Sequence, residues 1–268
     1  MTTESKALPG ASDDALPRMG FWDHLDELRR RLTRSVFVFV AAFMICWGFA
    51  KPIYAFLARP IEDALGGEKL VFLKVTDPFF LYMKVAALAA VFVAAPIILF
   101  EVWRFIEPAL YKKERRSVYR LGIPFVLFGT VLFVSGGAFG YTIAFPFALE
   151  FLLGVGEPFE AAITVQSYFG FMMTVILGLG LMFELPALIL MLAWLGLVTP
   201  GFLLRQSRVA IVLIFAVAAI ITPTPDIFNL CLFAIPTIAL YFFGILLAWI
   251  VSAKRRRAEA AEATGNSA

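Results

Sequence analysis

Six apolar runs, at 35–50, 79–100, 121–146, 168–194, 209–221 and 227–250, fill nearly half of this chain. A run of about 20 apolar residues crosses the ~30 Å hydrocarbon core of a bilayer as a helix. Lipid offers the backbone no hydrogen-bond partners, so such runs fold as helices that satisfy themselves internally. Hydrophobic residues make up 61% of the sequence, against about 45–50% in soluble domains. Only 16% of residues are charged, and the mean hydropathy is +0.87. The expectation is an all-α polytopic membrane protein with six transmembrane helices. Its fifth span, 209–221, has 13 residues and is short for a bilayer. Prolines at 96, 124, 186 and 236 fall inside four runs and favour bent helices around a curved bundle.

Charge placement orients the spans. Eighteen of the 23 lysines and arginines lie before Ser35, in 104–120, in 196–208 or in the tail, all on one side of a six-span path. The other side holds Lys51, Arg59, Lys69, Lys74 and Lys84. The excess of cations on cytoplasmic loops then places both termini in the cytoplasm. Residues 1–20 read as a disordered tail, 21–252 as the six-helix domain, and 253–268 as a basic, then Ala/Glu-rich disordered tail. Phe21, Leu25, Leu28 and Leu32 recur on one helical face, with Asp23, Asp26, Glu27, Arg30 and Arg34 opposite. That pattern describes an amphipathic segment on the membrane surface leading into the first span. No apolar core with a cleavage site precedes it, so the first span is expected to remain in the mature protein.

Catalysis finds little support. The single histidine, His24, lies in a polar segment, and neither HExxH nor GxxxxGK[ST] occurs. Cys46 and Cys231 sit within apolar runs, which suits packing better than a disulfide. No metal site, cofactor or nucleic-acid partner is expected. No internal repeat is visible, which weighs against an inverted-repeat transporter.

Three carboxylates stand out. Glu184 lies well inside a span, where ionisable side chains are rare and usually functional. It reads either as a protonated acid bonded to a neighbouring helix, or as a dock for a partner helix or a proton site. Glu27 reads either as the partner of Arg31 one turn on, or as part of a receptor for a cationic ligand. Glu114 sits among Lys112, Lys113, Arg115 and Arg116. It either tempers that basic cluster or joins Glu27 in the receptor. Guanidinium suits paired carboxylates because it grips them bidentately, as ammonium does not.

The segment 24–32, HLDELRRRL, resembles the N-terminal HLxELRxRL signature of the TatC family, the polytopic receptor subunit of the twin-arginine protein translocase. The segment 105–116, FIEPALYKKERR, is similar to that family's first cytoplasmic loop, FIxPALYxxERR. Asp77-Pro78-Phe79-Phe80, Ala95-Pro96, Phe183-Glu184-Leu185-Pro186 and Thr222-Pro223 with Pro225-Asp226 also match. The resemblance implies a glove-like concave bundle with two short C-terminal helices, in the bacterial cytoplasmic membrane. Here the sixth run, 227–250, reads longer than that.

The resemblance further implies binding of twin-arginine signal peptides of folded proteins at the cytoplasmic face. Assembly with TatA- and TatB-type single-span subunits, self-association in the receptor complex and use of the proton-motive force are implied as well. Glu27 and Glu114 would contact the arginine pair, with Phe105, Arg29, Lys112 and Arg115 shaping that surface. Phe105 would supply an apolar or cation–π wall. Glu184 would face partner helices, and Pro60, Asp226 and Pro96 match further positions of the family pattern. Two other readings remain open. A proton-coupled small-solute transporter using Glu184 predicts flux by this chain alone. A purely structural scaffold predicts that Glu27 and Glu114 do not matter.

Overall fold

The computed structural model describes residues 21–64, 70–106, 115–156, 162–222 and 226–265, with side chains described except at 21, 23–24, 62–64, 115–121 and 254–265. Ten α-helices are described: α1 (Phe21–Gly48), α2 (Ala50–Ala64), α3 (Asp77–Ile106), α4 (Arg115–Phe139), α5 (Phe145–Val155), α6 (Val165–Phe183), α7 (Leu185–Trp194), α8 (Pro200–Arg205), α9 (Ser207–Ile221) and α10 (Ile227–Gly265). Among the described residues the only β pairing is an isolated bridge between Val71 and Thr164.

Five helical stretches are long and apolar enough to span a bilayer: Leu25–Gly48, Asp77–Ile106, Gly122–Val155, Val165–Trp194 and Ile227–Ala253. The sixth, Ser207–Ile221, has 15 residues and measures about 22 Å at 1.5 Å per residue. This is the all-helical, six-run architecture expected, short fifth helix included. The last span is long, with 27 residues, and its backbone stays helical through 254–265 to Gly265. Ala, Glu and Arg, which dominate that extension, are strong helix formers.

Three local features depart from the sequence reading. The amphipathic start of the chain is continuous with the first span: α1 runs unbroken from Phe21 because no glycine or proline interrupts it before Gly48. The segment after the first span, read as a loop, contains the 15-residue α2. Its buried face is Leu57, Ala58 and Ile61, packed into the main core beside Ile53 and Tyr54. Of the four prolines expected to bend spans, only Pro186 coincides with a helix break. Pro96, Pro124 and Pro236 lie inside helices that continue through them. A different proline accompanies a second irregularity. Pro146 cannot donate to the carbonyl four residues back, and a π-helical turn at Gly140–Ala144 sits just ahead of it, joining α4 to α5.

Packing explains which helices neighbour each other. α1 and the first residue of α2 lie along α3 on a seam of small side chains, Ala42, Cys46 and Ala50 against Ala86, Ala90 and Ala94. Both sets recur every four residues, so the two backbones approach closely. In lipid, where apolar side chains gain nothing by leaving solvent, such close packing is what holds helices together. α4 and the π turn after it meet α6 through Gly136 and Gly140: a Cβ on Gly136 would stand 2.7 Å from the Leu179 carbonyl oxygen. The main core joins α2, α3, α5, α6, α7, α9 and α10 around Phe145, Phe169, Met172 and Phe233.

The ends of the spans are tied by polar contacts. Asp77 is buried, and its Oδ2 accepts from the backbone N–H groups of Leu73 (3.1 Å) and Lys74 (2.9 Å), closing the turn before α3. The backbone of Val71 donates to Ile163 at 3.1 Å and accepts from Val165 at 2.9 Å, linking this turn to the start of α6. Thr164 caps α6 by accepting from Ser167 N–H at 3.2 Å.

Candidate functional site: a carboxylate–guanidinium cluster and an intramembrane acid

The first turns of α1 carry their charges around more than half of the helix, and α3 runs antiparallel beside them. The two helices bring Glu27, Arg31 and Arg34 of α1 against Glu101, near the end of α3. Arg31 donates from Nε to Glu27 Oε1 at 2.6 Å, and its Nη2 contacts the same oxygen. Its Nη1 reaches the other way, to Glu101 Oε2 at 2.9 Å. Arg34 Nη1 lies 3.9 Å from Glu101 Oε1. Two carboxylates and two guanidiniums therefore form one cluster, with Arg31 bridging elements 70 positions apart.

The cluster is only partly solvated. Side-chain exposure is 21% for Glu27, 13% for Arg31 and 10% for Glu101. Charges so placed require partners, because removing one leaves another desolvated and uncompensated. Of the two readings of Glu27, the pair with Arg31 one turn on does form, and Arg31 also reaches Glu101. Glu101 is the residue the sequence reading passed over. It stands at the end of an apolar run and reads there as a boundary residue. Its helical spacing to Arg104 and Phe105 was the available signal. Phe105, four residues on, shares its side of α3 and is half-buried. Arg29 is exposed, and its carbonyl accepts from Thr33 Oγ1 at 2.7 Å. Glu114, Lys112 and the Arg115 side chain lie outside the described residues.

At the same end of α3, Trp103 stacks on Trp194 of α7 (5.5 Å between centroids) and packs at a tilt against Phe125 of α4 (4.6 Å). Arg104 extends over the Phe100 ring at 5.6 Å.

Glu184 occupies the break between α6 and α7. Pro186 lacks the N–H that would bond the Met182 carbonyl, so the helix is interrupted where the acid sits. The chain then resumes with Leu188 N–H donating to the Glu184 carbonyl at 2.9 Å. Glu184 Oε1 is buried and has no hydrogen-bond partner among the described residues; the same holds for Thr130 Oγ1 of α4. Gly129 makes room for the acid: a Cβ there would lie 3.1 Å from Glu184 Oε2. Beside the break, Leu181, Leu185, Leu213, Val217 and Tyr241 help line an apolar groove of about 360 Å³.

The remaining sequence candidates take structural positions. Pro60 is within α2. Pro96 is within α3. Asp226 precedes α10, where its Oδ1 accepts from Asn229 N–H at 2.7 Å and its Oδ2 from Asn229 Nδ2 at 2.8 Å. No group of three or more metal-ligating side chains occurs among the described residues.

The model of the family described as Sec-independent protein translocase protein (TatC) matches residues 23–236. A curated relative named Sec-independent protein translocase protein TatC, from Koribacter versatilis (strain Ellin345), is 46% identical over 258 residues, covering 94% of each chain. One of the same name from Aquifex aeolicus (strain VF5) is 35% identical over 246 residues, covering 91% of this chain and all of the relative. Among solved structures, a crystal structure of the twin arginine translocase receptor TatC superposes with a TM-score of 0.74 at 35% identity. It covers 85% of this chain and 99% of the other.

Proposed function

The chain belongs to the TatC family of Sec-independent protein translocase components, and on that premise we propose that it binds the arginine pair of twin-arginine signal peptides through Glu27 and Glu114. This family is a non-enzymatic receptor family. What supports the specific reading is one observation: Glu27 already holds a guanidinium, that of Arg31, in a largely desolvated site. A carboxylate placed this way prefers a planar, bidentate cation over an ammonium, which is more strongly hydrated and offers no fixed fork. Phe105, Arg29, Lys112 and Arg115 shape the surface around it. The cluster faces the cytoplasm, with both termini on that side, as the cation distribution argues. The membrane is the bacterial inner membrane.

Glu184 serves a different step. Its carboxylate sits at a break in the span against Gly129 of α4, with a buried oxygen left unpaired among the described residues, and a single-span helix of the TatA or TatB type packing at this break would supply the missing polar partner. Assembly draws on the proton-motive force, as the resemblance to the family implies. Pro60, Pro96 and Asp226 support this assembly by fixing the helices that frame it.

The test is binding of a labelled twin-arginine signal peptide to the protein in nanodiscs, with a Lys-Lys counterpart alongside. Arg-Arg preference that drops in both Glu27→Gln and Glu114→Gln supports the reading. Equal, salt-sensitive binding of both peptides would reduce it to surface electrostatics.

A further inference from the structure

The Arg31 guanidinium occupies the position on Glu27 that the receptor reading gives to an arginine of the signal. A ligand must therefore displace a residue of the receptor itself. Arg31 cannot simply be released, because its side chain is only 13% exposed and an unpaired guanidinium there is costly. Glu101 resolves this. It already accepts from Arg31 Nη1 at 2.9 Å, and it is itself 10% exposed, with Arg34 3.9 Å away on its other oxygen. Loss of the Glu27 contact leaves Arg31 still ion-paired to Glu101.

We propose that Arg31 is an internal stand-in for the signal arginine, and that Glu101 is the positioning residue that keeps it when the signal takes Glu27. This rests on the receptor reading of Glu27 and deepens it. The exchange conserves charge: one guanidinium leaves Glu27, another arrives, and the displaced one remains on Glu101. It also acts as a filter. A ligand succeeds only if it binds Glu27 better than the incumbent guanidinium does. A lysine ammonium, lacking the bidentate fork, fails that comparison more severely than it would against an empty carboxylate.

The geometry of the incumbent supports exchange over permanent blockade. Both Arg31 contacts fall on a single Glu27 oxygen, Oε1. A carboxylate has about four lone-pair sites across two oxygens. An incoming guanidinium can begin on the second oxygen before the first is vacated, so the carboxylate need never be stripped bare. Glu27 is also the most exposed of the three members of the bridge, which puts the accessible end of the relay on the ligand's side.

A double-mutant cycle on the full chain in nanodiscs tests this, read with the labelled Arg-Arg peptide and its Lys-Lys counterpart. Glu101→Gln leaves Arg31 dependent on Glu27 alone and is expected to weaken Arg-Arg binding about tenfold. Arg31→Gln vacates Glu27 and is expected to strengthen binding of both peptides, Lys-Lys more, so that selectivity narrows. In the Arg31→Gln background, Glu101→Gln is expected to have no further effect. Equal weakening by Glu101→Gln in both backgrounds would show Glu101 contacting the peptide directly and overturn the exchange. So would unchanged binding in Glu101→Gln, or Arg31→Gln binding more weakly than the unaltered chain. If Glu101→Gln yields too little folded protein, Glu101→Asp keeps the charge on a shorter arm and is expected to weaken binding in the same direction, about threefold. Absence of any Arg-Arg preference in the unaltered chain is a separate outcome, which removes the receptor reading and the exchange with it.

Discussion

The Tyr141 hydroxyl donates a 2.6 Å hydrogen bond to the carbonyl of Phe56, four residues ahead of Pro60. In an uninterrupted helix that carbonyl would accept from the N–H of residue 60, which proline does not have. The side chain of Tyr141, on the π turn after α4, fills the vacancy, and its ring stacks on Phe56 at 4.8 Å. Pro60 thereby couples α2 to the middle of the third long span. Tyr141→Phe should lower stability by about 1 kcal/mol, the usual net value of one hydrogen bond. Pro60→Ala should restore an N–H donor to Phe56 and so shrink the effect of Tyr141→Phe. Thermal unfolding of both variants and the double variant in detergent checks this. Additive effects would mean that the two residues are not coupled.

Glycines in the bundle divide into those that are needed and those that are merely tolerated. A Cβ on Gly136 would meet the Leu179 carbonyl oxygen at 2.7 Å, and that backbone atom, fixed in α6, cannot swing aside as a side chain would. Gly136→Ala should cost about 1–3 kcal/mol by overpacking. At Gly170, inside α6, the place a Cβ would take has nothing within 4 Å of it. Gly170→Ala should instead stabilise by about 0.5–1 kcal/mol through the chain entropy glycine loses on folding. Denaturant titrations of the two variants should move in opposite directions, and a shared direction would contradict the close α4–α6 contact.

Asp226 caps α10 by accepting from the N–H of Asn229 at 2.7 Å, the third residue of the helix. Asn229 is itself almost wholly buried, so the cap fixes a side chain at the base of the last span as well as the helix end. Asp226→Ala should destabilise by about 1 kcal/mol, as loss of a capping side chain does elsewhere. Asp226→Asn and Asp226→Ser, which can still cap, should recover most of it. If all three substitutions impaired export equally with no loss of stability, the acid would be acting through its charge, with capping incidental.

The six spans were legible because length and hydropathy alone decide whether a helix can cross lipid, and the short fifth helix shows in the same count. α2 was hidden because Lys51, Arg59, Glu62 and Asp63 dilute its composition. Its helicity is evident only once Leu57, Ala58 and Ile61 are seen meeting a core built by distant helices. The family's two signature segments located Glu27 but not its counterpart on α3. The Arg31–Glu101 contact spans 70 positions, and no periodicity within one helix can announce it. The break at Glu184 was anticipated only as a bend at Pro186. That the acid stands at the junction of the interrupted helix follows from proline's missing donor, and Gly129 opposite it is visible only in three dimensions.

The assembly role proposed for Glu184 sets stability against function. Its buried Oε1 has no partner among the described residues, and neither does Thr130 Oγ1 on α4. An unsatisfied buried polar atom costs about 1–3 kcal/mol. A chain selected for stability alone would do better with leucine. Glu184→Leu should therefore raise the unfolding temperature of the isolated protein while reducing export of a twin-arginine reporter at least tenfold. Glu184→Gln keeps a polar group able to bond a partner helix, and should fall between the two in export. A Glu184→Leu protein that was less stable would place the acid within the structural framework and leave its role in assembly unsupported. One that was more stable and still exported normally would remove that role outright. The combination of gained stability and lost export is the signature of a polar group kept unpaired in one subunit so that another can complete it.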